Sequence, residues 1–167
     1  MKKLMVLYSS VVMLAAASTA MAVPVTGVST NGWAAGVGTK EIYLEGKFHP
    51  KITLGYEHLD RDEQGKQNDI YAKYDLVGAN LQAVAGVRNH VSQTHTNAYG
   101  GLIAAAPSVL GLQPYASYVK GGDFGETQLG LNFNIVAGIG VNVNYHNFMP
   151  DEGHNEHGVG VGATIKF

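Results

Sequence analysis

The chain of 167 residues contains no cysteine, which excludes disulfide bridges and thiolate metal sites. Charged residues are sparse, at 14% of the chain, and acidic residues outnumber basic ones by 13 to 11. Binding to nucleic acid phosphates requires a basic surplus, so nucleic acid is not an expected partner. Beyond residue 22 the sequence also lacks an apolar run long enough for a membrane-spanning helix. These shortages exclude disulfide scaffolds, nucleic-acid binders and helical membrane proteins.

The first 22 residues have the composition of an export signal. Residues 1–3 (MKK) are cationic, residues 4–17 are largely apolar, and residues 20–22 (AMA) match a small-residue cleavage site. The apolar run is shorter than the roughly 20 residues that a spanning helix needs. We therefore predict a Sec-type signal peptide at 1–22 and a single mature domain at 23–167. This domain contains nine basic and 13 acidic residues.

The end of the chain shows the clearest alternation. In residues 158–167 (GVGVGATIKF), every second residue is apolar, and the residues between them are glycine, threonine or lysine. A β-strand sends alternate side chains to opposite faces, so this segment predicts a two-faced strand. Similar segments recur through the chain, separated by short turns near residues 49, 78, 109 and 136 and by longer hydrophilic loops near residues 63, 94, 122 and 153.

This pattern predicts an all-β fold, a transmembrane antiparallel up-and-down β-barrel. Eight strands fall between residues 51 and 167, and two shorter segments at 32–39 and 41–48 would make ten. Residues 97–106 are apolar on both faces, and we take Tyr99 and Ile103 as outward. Residues 23–31 show no periodicity and are interpreted as a lead-in to the barrel.

Aromatic residues of outward parity gather near both strand ends, as in the interfacial girdles of membrane barrels. The predicted girdles comprise Phe48, Tyr74, Phe133 and Phe167 at one end, and Tyr56, Tyr99 and Tyr145 at the other.

The terminal pattern Gly162-x-x-Ile165-x-Phe167, the export signal and the alternating strands together resemble the small bacterial outer-membrane barrels represented by OmpX, the OmpA membrane domain and YfaZ-type proteins. The resemblance implies a location in the outer membrane of a Gram-negative bacterium, in contact with its lipid and lipopolysaccharide. It also implies that Gly162, Ile165 and Phe167 form the signal read by the barrel-assembly machinery. We further expect a monomer without a cofactor, whose extracellular loops are open to a surface ligand.

The inward faces of the predicted strands collect polar side chains, and charges enclosed in a small barrel must be paired or hydrated. The predicted interior set is Glu45, Lys47, Glu57, Lys73, Asp75, Arg88, Asn132, Asn142, Asn144 and Lys166. One hypothesis is a self-paired polar plug inside a structural or surface-interaction protein, serving adhesion or envelope integrity. The alternative is a small porin-like channel for water, ions or small solutes.

Two further hypotheses concern chemistry. The loop at 149–157 carries His154 and His157 beside acidic residues, which are ligand types suited to zinc or nickel, although a plain hydrated loop has the same composition. Barrel-type lipid A deacylases are similar in size and use a His-x-Ser pair on one strand. His90 and Ser92 have that spacing without an evident acid to orient the histidine. A lipid A-modifying hydrolase is therefore the third hypothesis, and we expect no enzymatic activity.

Overall fold

The chain forms one antiparallel sheet of ten strands closed into a barrel, in a computed structural model that describes residues 23–91, 95–136 and 138–167. The strands are β1 (Trp33–Gly38), β2 (Glu41–His49), β3 (Ile52–Arg61), β4 (Gly65–Val77), β5 (Leu81–Arg88), β6 (Asn97–Ala105), β7 (Leu112–Gly121), β8 (Phe124–Val136), β9 (Ile139–Pro150) and β10 (Glu156–Lys166). Each strand pairs with its neighbours in sequence, which confirms the predicted up-and-down arrangement.

The barrel closes between its first and last strands. β1 pairs with β10 from Ala34 opposite Lys166 to Gly38 opposite Gly162. Trp33 and Phe167 extend this pairing by exchanging both backbone hydrogen bonds, with N···O distances of 2.7 and 3.0 Å. We call the barrel end that holds Phe167 the inner end and the opposite one the outer end.

The strand number of eight is wrong, and the alternative of ten is correct. β1 has only six residues, but it pairs along its length with both β10 and β2. β2 in turn pairs with β3. Because both short segments make ladder hydrogen bonds on each side, they belong to the wall.

The strands have apolar outer faces and largely polar inner faces. Every strand exposes at least one large apolar side chain, and examples from successive strands are Val37, Leu44, Leu54, Ile70, Val87, Leu102, Leu112, Leu129, Val143 and Val159. Buried polar or charged side chains occupy the opposite parity in most of these strands, such as Glu45 in β2 and Lys73 in β4. The amphipathic alternation in the sequence therefore runs outside to inside around the closed wall.

β6 has the orientation opposite to the prediction. Tyr99 and Ile103 are buried in the interior, and Leu102 is exposed. The Tyr99 hydroxyl donates a hydrogen bond to Asp69 Oδ1 at 2.9 Å. This interior partner favours the orientation of β6 that its apolar pattern did not determine. On the outer surface Tyr118 of β7 is exposed instead, together with Tyr56 and Tyr145.

Several connections differ from their predicted lengths. β9 runs to Pro150 and β10 begins at Glu156, so the predicted loop at 149–157 is reduced to residues 151–155. The outer connection at 122–123 has two residues, whereas the inner connection at 106–111 has six. The predicted alternation of short inner turns and long outer loops is therefore not strict.

Candidate functional site: the barrel interior

The inner half of the lumen holds a first group of ion pairs. Lys47 Nζ donates to Asp75 Oδ2 at 2.5 Å, and Gln82 Nε2 donates to the other oxygen of the same carboxylate at 2.5 Å. Beside them, Lys73 pairs with Glu45, which also accepts a hydrogen bond of 2.8 Å from the Tyr71 hydroxyl. These lysines and carboxylates are all buried, so their pairing offsets the loss of hydration.

The outer half is organised around Glu126 of β8. Its two carboxylate oxygens accept hydrogen bonds of 2.6 Å from Arg61 on β3 and 2.6 Å from Arg88 on β5. Arg88 also donates to Asp69 of β4, at 2.8 and 3.0 Å. Because these groups lie on separated strands, the cluster ties opposite walls of the barrel together across the lumen.

Aromatic rings cover this cluster towards the outer end. The Arg61 guanidinium lies 4.0 Å from the ring centre of Phe148, and that of Arg88 lies 5.0 Å from the ring centre of Phe124. The two rings pack 5.5 Å apart, and Val91, from the connection between β5 and β6, is fully buried with them. These three side chains form an apolar layer between the ion pairs and the outer mouth.

The segment at 23–28, which we call the strap, lies inside the inner half of the barrel. Val23, Val25, Thr26 and Val28 are buried. Lys73 Nζ donates to the Pro24 carbonyl at 2.8 Å, Asn132 Nδ2 donates to the Val25 carbonyl at 2.8 Å, and the Thr26 hydroxyl donates to Glu45. The interpretation of this segment as a simple lead-in is therefore wrong, because interior side chains bind its carbonyl groups.

The strap lines a small pocket at the inner mouth. This pocket, between Val25, Thr26 and the side chains of Asn132, Asn134 and Lys166, has a volume of about 10 Å³. That is room for about one water molecule. Lys166 is half-buried at this mouth, with its ammonium nitrogen 3.5 Å from Asn134 Oδ1.

Four inward tyrosines pack flat over glycines on the neighbouring strand. Tyr71 covers Gly55, so that a Cβ placed on that glycine would lie 2.3 Å from the ring. The other pairs are Tyr43 with Gly36, Tyr99 with Gly86, and Tyr115 with Gly130. These four glycines therefore do not widen the lumen, since tyrosine rings occupy the space above them.

The predicted interior residues fall into two groups. Glu45, Lys47, Glu57, Lys73, Asp75, Arg88, Asn142 and Asn144 are buried, and Asn132 and Lys166 are half-buried near the strap. Glu57 and Glu156 differ from the other buried carboxylates, because neither oxygen of either residue has a hydrogen-bond partner among the described residues.

Sequence reasoning missed Arg61, Asp69 and Glu126 as interior residues. It left the buried His146 out of the interior set, although His146 shares the parity of Asn142 and Asn144. Arg61 lies at the edge of the loop predicted near residue 63, yet it continues the parity of Glu57 along β3. Asp69 and Glu126 likewise continue the parity of Tyr71 and Gln128 in strands longer than expected. Extending the alternation into the polar flanks would have identified them.

The terminal signal and the histidines lie elsewhere. Gly162 pairs with Gly38 at the seam, and Ile165 and Phe167 are exposed on the outside of the barrel.

His154 and His157 are exposed, and His157 lies in β10 beside the Tyr145 ring. Among the described residues no group of three or more metal-ligating side chains could hold a metal ion. His90 has a left-handed backbone outside the strands, and Ser92 lies outside the described residues.

No protein-family model matches the chain, and no curated protein matches it. Three solved chains are similar to this chain in part. Salmonella typhi OmpF in complex with daunomycin is 19% identical over 76% of this chain and 49% of its own, with a TM-score of 0.42. The N-terminal β-barrel domain of Pseudomonas aeruginosa OprF is 10% identical over 83% of this chain and 98% of its own, with a TM-score of 0.41.

A third solved chain, from work on the in-meso crystallisation of membrane proteins, is 14% identical over 80% of this chain and 64% of its own, with a TM-score of 0.43. This chain thus spans about half the length of the OmpF chain that it matches. The narrower resemblance to the OmpX, OmpA or YfaZ type stays a prediction. The described part of the chain contains no helix that is long and apolar enough to cross a membrane.

Proposed function

We propose that this chain is an integral outer-membrane β-barrel protein of a Gram-negative bacterium, exported by a signal peptide at 1–22. One observation carries the proposal: all ten strands expose large apolar side chains outward, while buried ion pairs lie in the interior. Water-soluble monomers rarely expose contiguous apolar patches of more than a few hundred Å². An apolar belt around the whole wall is instead the surface that a bilayer solvates.

Polar outward residues support the same placement. His58, Asp60, Lys66, Asn68 and Lys120 lie near the outer ends of their strands, beyond the apolar residues. At the inner end, exposed Trp33, Phe48, Tyr74, Phe133 and Phe167 border the belt. Aromatic residues prefer the interface between hydrocarbon and headgroups, so these residues mark one edge of the membrane.

The test is cell fractionation together with gel mobility. The mature protein should sediment with outer membranes and should migrate differently before and after heating in detergent, because a closed barrel resists unfolding. Recovery in the soluble periplasm, with a single mobility at both temperatures, would contradict the proposal.

Within the membrane, the proposed role is structural or surface-interacting, with a plugged, non-conducting lumen and no enzymatic activity. The strap fills the inner mouth, and Val91, Phe124 and Phe148 fill the region near the outer mouth. Refolded protein in planar bilayers should therefore show no conductance steps above background. Steps from the intact protein would favour the alternative of a porin-like channel, to which a wall of ten strands gives more room than one of eight.

A surface role requires the outer loops to face the cell exterior. An epitope tag inserted beside Gly153, in the exposed loop at 151–155, should be labelled on intact cells. A matched tag beside Gly78, in the inner connection at 78–80, should be labelled only after the outer membrane is breached. The reverse pattern would invert the proposed topology. Labelled loops could then be tested against surface ligands, and against Zn²⁺ or Ni²⁺ through proteolysis with and without His154 and His157.

A further inference from the structure

The strap enters the lumen as far as Val23, which is fully buried. The next residue, Pro24, is held by a hydrogen bond of 2.8 Å from Lys73 Nζ to its carbonyl oxygen. Lys73 lies opposite Thr53 in the register of β3 and β4, and Glu57 lies four residues further along β3. The strap is therefore held against β4, whose neighbour β3 carries Glu57.

The buried charges in the described residues are unbalanced. There are fewer buried cations than buried carboxylates. The four cations are Lys47, Arg61, Lys73 and Arg88, and the seven carboxylates are Glu41, Glu45, Glu57, Asp69, Asp75, Glu126 and Glu156. The ion pairs within hydrogen-bond distance use all four cations, and none of these pairs includes Glu57. Arg88 is the cation that acts on Glu57, but it lies beyond ion-pair distance. A cation within hydrogen-bond distance would offset the cost of burying the Glu57 carboxylate.

We propose that the missing cation is the α-ammonium group of Val23, which binds Glu57 and latches the strap inside the barrel. This rests on the proposed export and cleavage after Ala22. In that cleavage water adds across the Ala22–Val23 peptide bond, so that Ala22 leaves as a carboxylic acid and Val23 gains a free amine, which takes up a proton from solvent. A neutral amide nitrogen with one N–H to donate becomes an ammonium with three donors.

Because the ammonium group exists only after signal-peptide cleavage, the cleavage changes how firmly the strap is held in the barrel. Before cleavage, the nitrogen of Val23 carries no charge and cannot neutralise Glu57. After cleavage, the new cation is already tethered to Pro24 and Val25, whose carbonyls Lys73 and Asn132 bind. Seating of the strap, and with it closure of the inner mouth, is therefore favoured in the mature protein over the precursor.

The test measures how fast the Val23 amine reacts. Mature protein is extracted from outer membranes, its start at Val23 is verified by intact mass, and it is treated with an acylating reagent near neutral pH. Mass spectrometry of the N-terminal peptide then gives the rate in folded and in urea-unfolded protein. The amine of the folded protein should react at least about tenfold more slowly, because reaction requires local opening of the strap.

Two variants distinguish protection of the Val23 amine by Glu57 from protection by burial of the strap alone. Glu57→Gln should raise the acylation rate of the folded protein towards the unfolded rate. Glu156→Gln, which alters another buried carboxylate at the outer end of β10, should leave the rate unchanged. If Glu57→Gln does not fold, one glycine inserted before Val23 displaces the ammonium while leaving every strand intact, and it should also raise the rate.

Equal acylation rates in folded and unfolded wild-type protein would overturn the latch. A mass that places the N-terminus elsewhere, or protection that survives both the Glu57 change and the glycine insertion, would do the same. Heat-modifiable mobility of the same samples tests the barrel independently, so failure of the latch is distinguishable from failure of the proposed membrane location.

Discussion

At the residue scale, stability depends on a few side chains that join distant parts of the wall. Glu126 is the clearest case, since it accepts hydrogen bonds from Arg61 and Arg88 on two other strands. All three side chains are fully buried, so neither guanidinium can recover solvation if the carboxylate is lost. Buried ion pairs contribute little net stability when intact, but removing one partner is strongly destabilising.

Glu126→Gln should therefore lower the free energy of unfolding by about 3–5 kcal/mol. The measurement is urea unfolding of the protein refolded into lipid vesicles. Asp151→Asn is the matched control, because Asp151 pairs with Lys120 at 3.3 Å and both side chains are about half exposed. That change should cost about 0–1 kcal/mol. Equal effects of the two changes would mean that the interior cluster is not a cross-barrel tie.

The tyrosine and glycine pairs give a second prediction at this scale. Gly55→Ala should destabilise the barrel by about 1–3 kcal/mol, because the new methyl group meets the Tyr71 ring and forces it to move. Gly100→Ala is the control, since the nearest atom to its Cβ is 3.7 Å away. Alanine usually suits a strand better than glycine, so the control should be neutral or stabilising in the same urea titration. A neutral Gly55→Ala would show that the ring has room to shift.

At the element scale, the seam between β1 and β10 completes the barrel. β1 is the shortest strand of the ten, and the backbone hydrogen bonds between Trp33 and Phe167 extend its pairing with β10 by one position. The Phe167 ring itself is 70% exposed, so its side chain contributes little to packing. The resemblance to outer-membrane barrels assigns that ring to recognition by the assembly machinery.

Phe167→Ala should therefore reduce the amount of protein assembled in cells while leaving the refolded barrel stable in vitro. The backbone hydrogen bonds at the seam are kept, and an exposed ring at a barrel rim is a minor packing term. Phe133→Ala, which removes another exposed aromatic ring at the inner end, should assemble normally. Outer-membrane levels by immunoblot are the measurement. Equal losses for both variants would indicate a general role of inner-end aromatics rather than a terminal signal.

Elements were predictable from the sequence where their two faces differ. β4 and β10 alternate strongly, so their faces followed from period two. β6 is apolar on both faces, and its orientation depends on a hydrogen bond between Tyr99 and Asp69, which are 30 residues apart. The strap sequence shows no hydrophobic periodicity. Its position depends instead on hydrogen bonds from side chains of β4 and β8. Such long-range contacts leave no local pattern in a single sequence.

At the whole-molecule scale, the barrel has a polar interior and an apolar exterior, the reverse of a water-soluble protein. Its ion pairs, tyrosines and strap fill the interior, and its apolar residues cover the exterior. Neither surface alone specifies a function, but together they require a solvent that is apolar at the sides and aqueous at the ends. A bilayer is such a solvent, and the polar outward residues near the outer strand ends agree with it.

The native protein carries its own probe for this claim. Trp33 is the single tryptophan, it is 38% exposed on the outer surface, and it packs edge-on to Phe48 at the inner end with ring centres 5.1 Å apart. The measurement is quenching of Trp33 fluorescence after refolding into vesicles of brominated lipids. Bromine near the headgroup end of the acyl chains should quench strongly, and bromine at the chain ends should quench less, because tryptophan at a barrel rim lies near the interface. Fluorescence that neither lipid quenches would place Trp33 outside the bilayer and would contradict the membrane-embedded barrel.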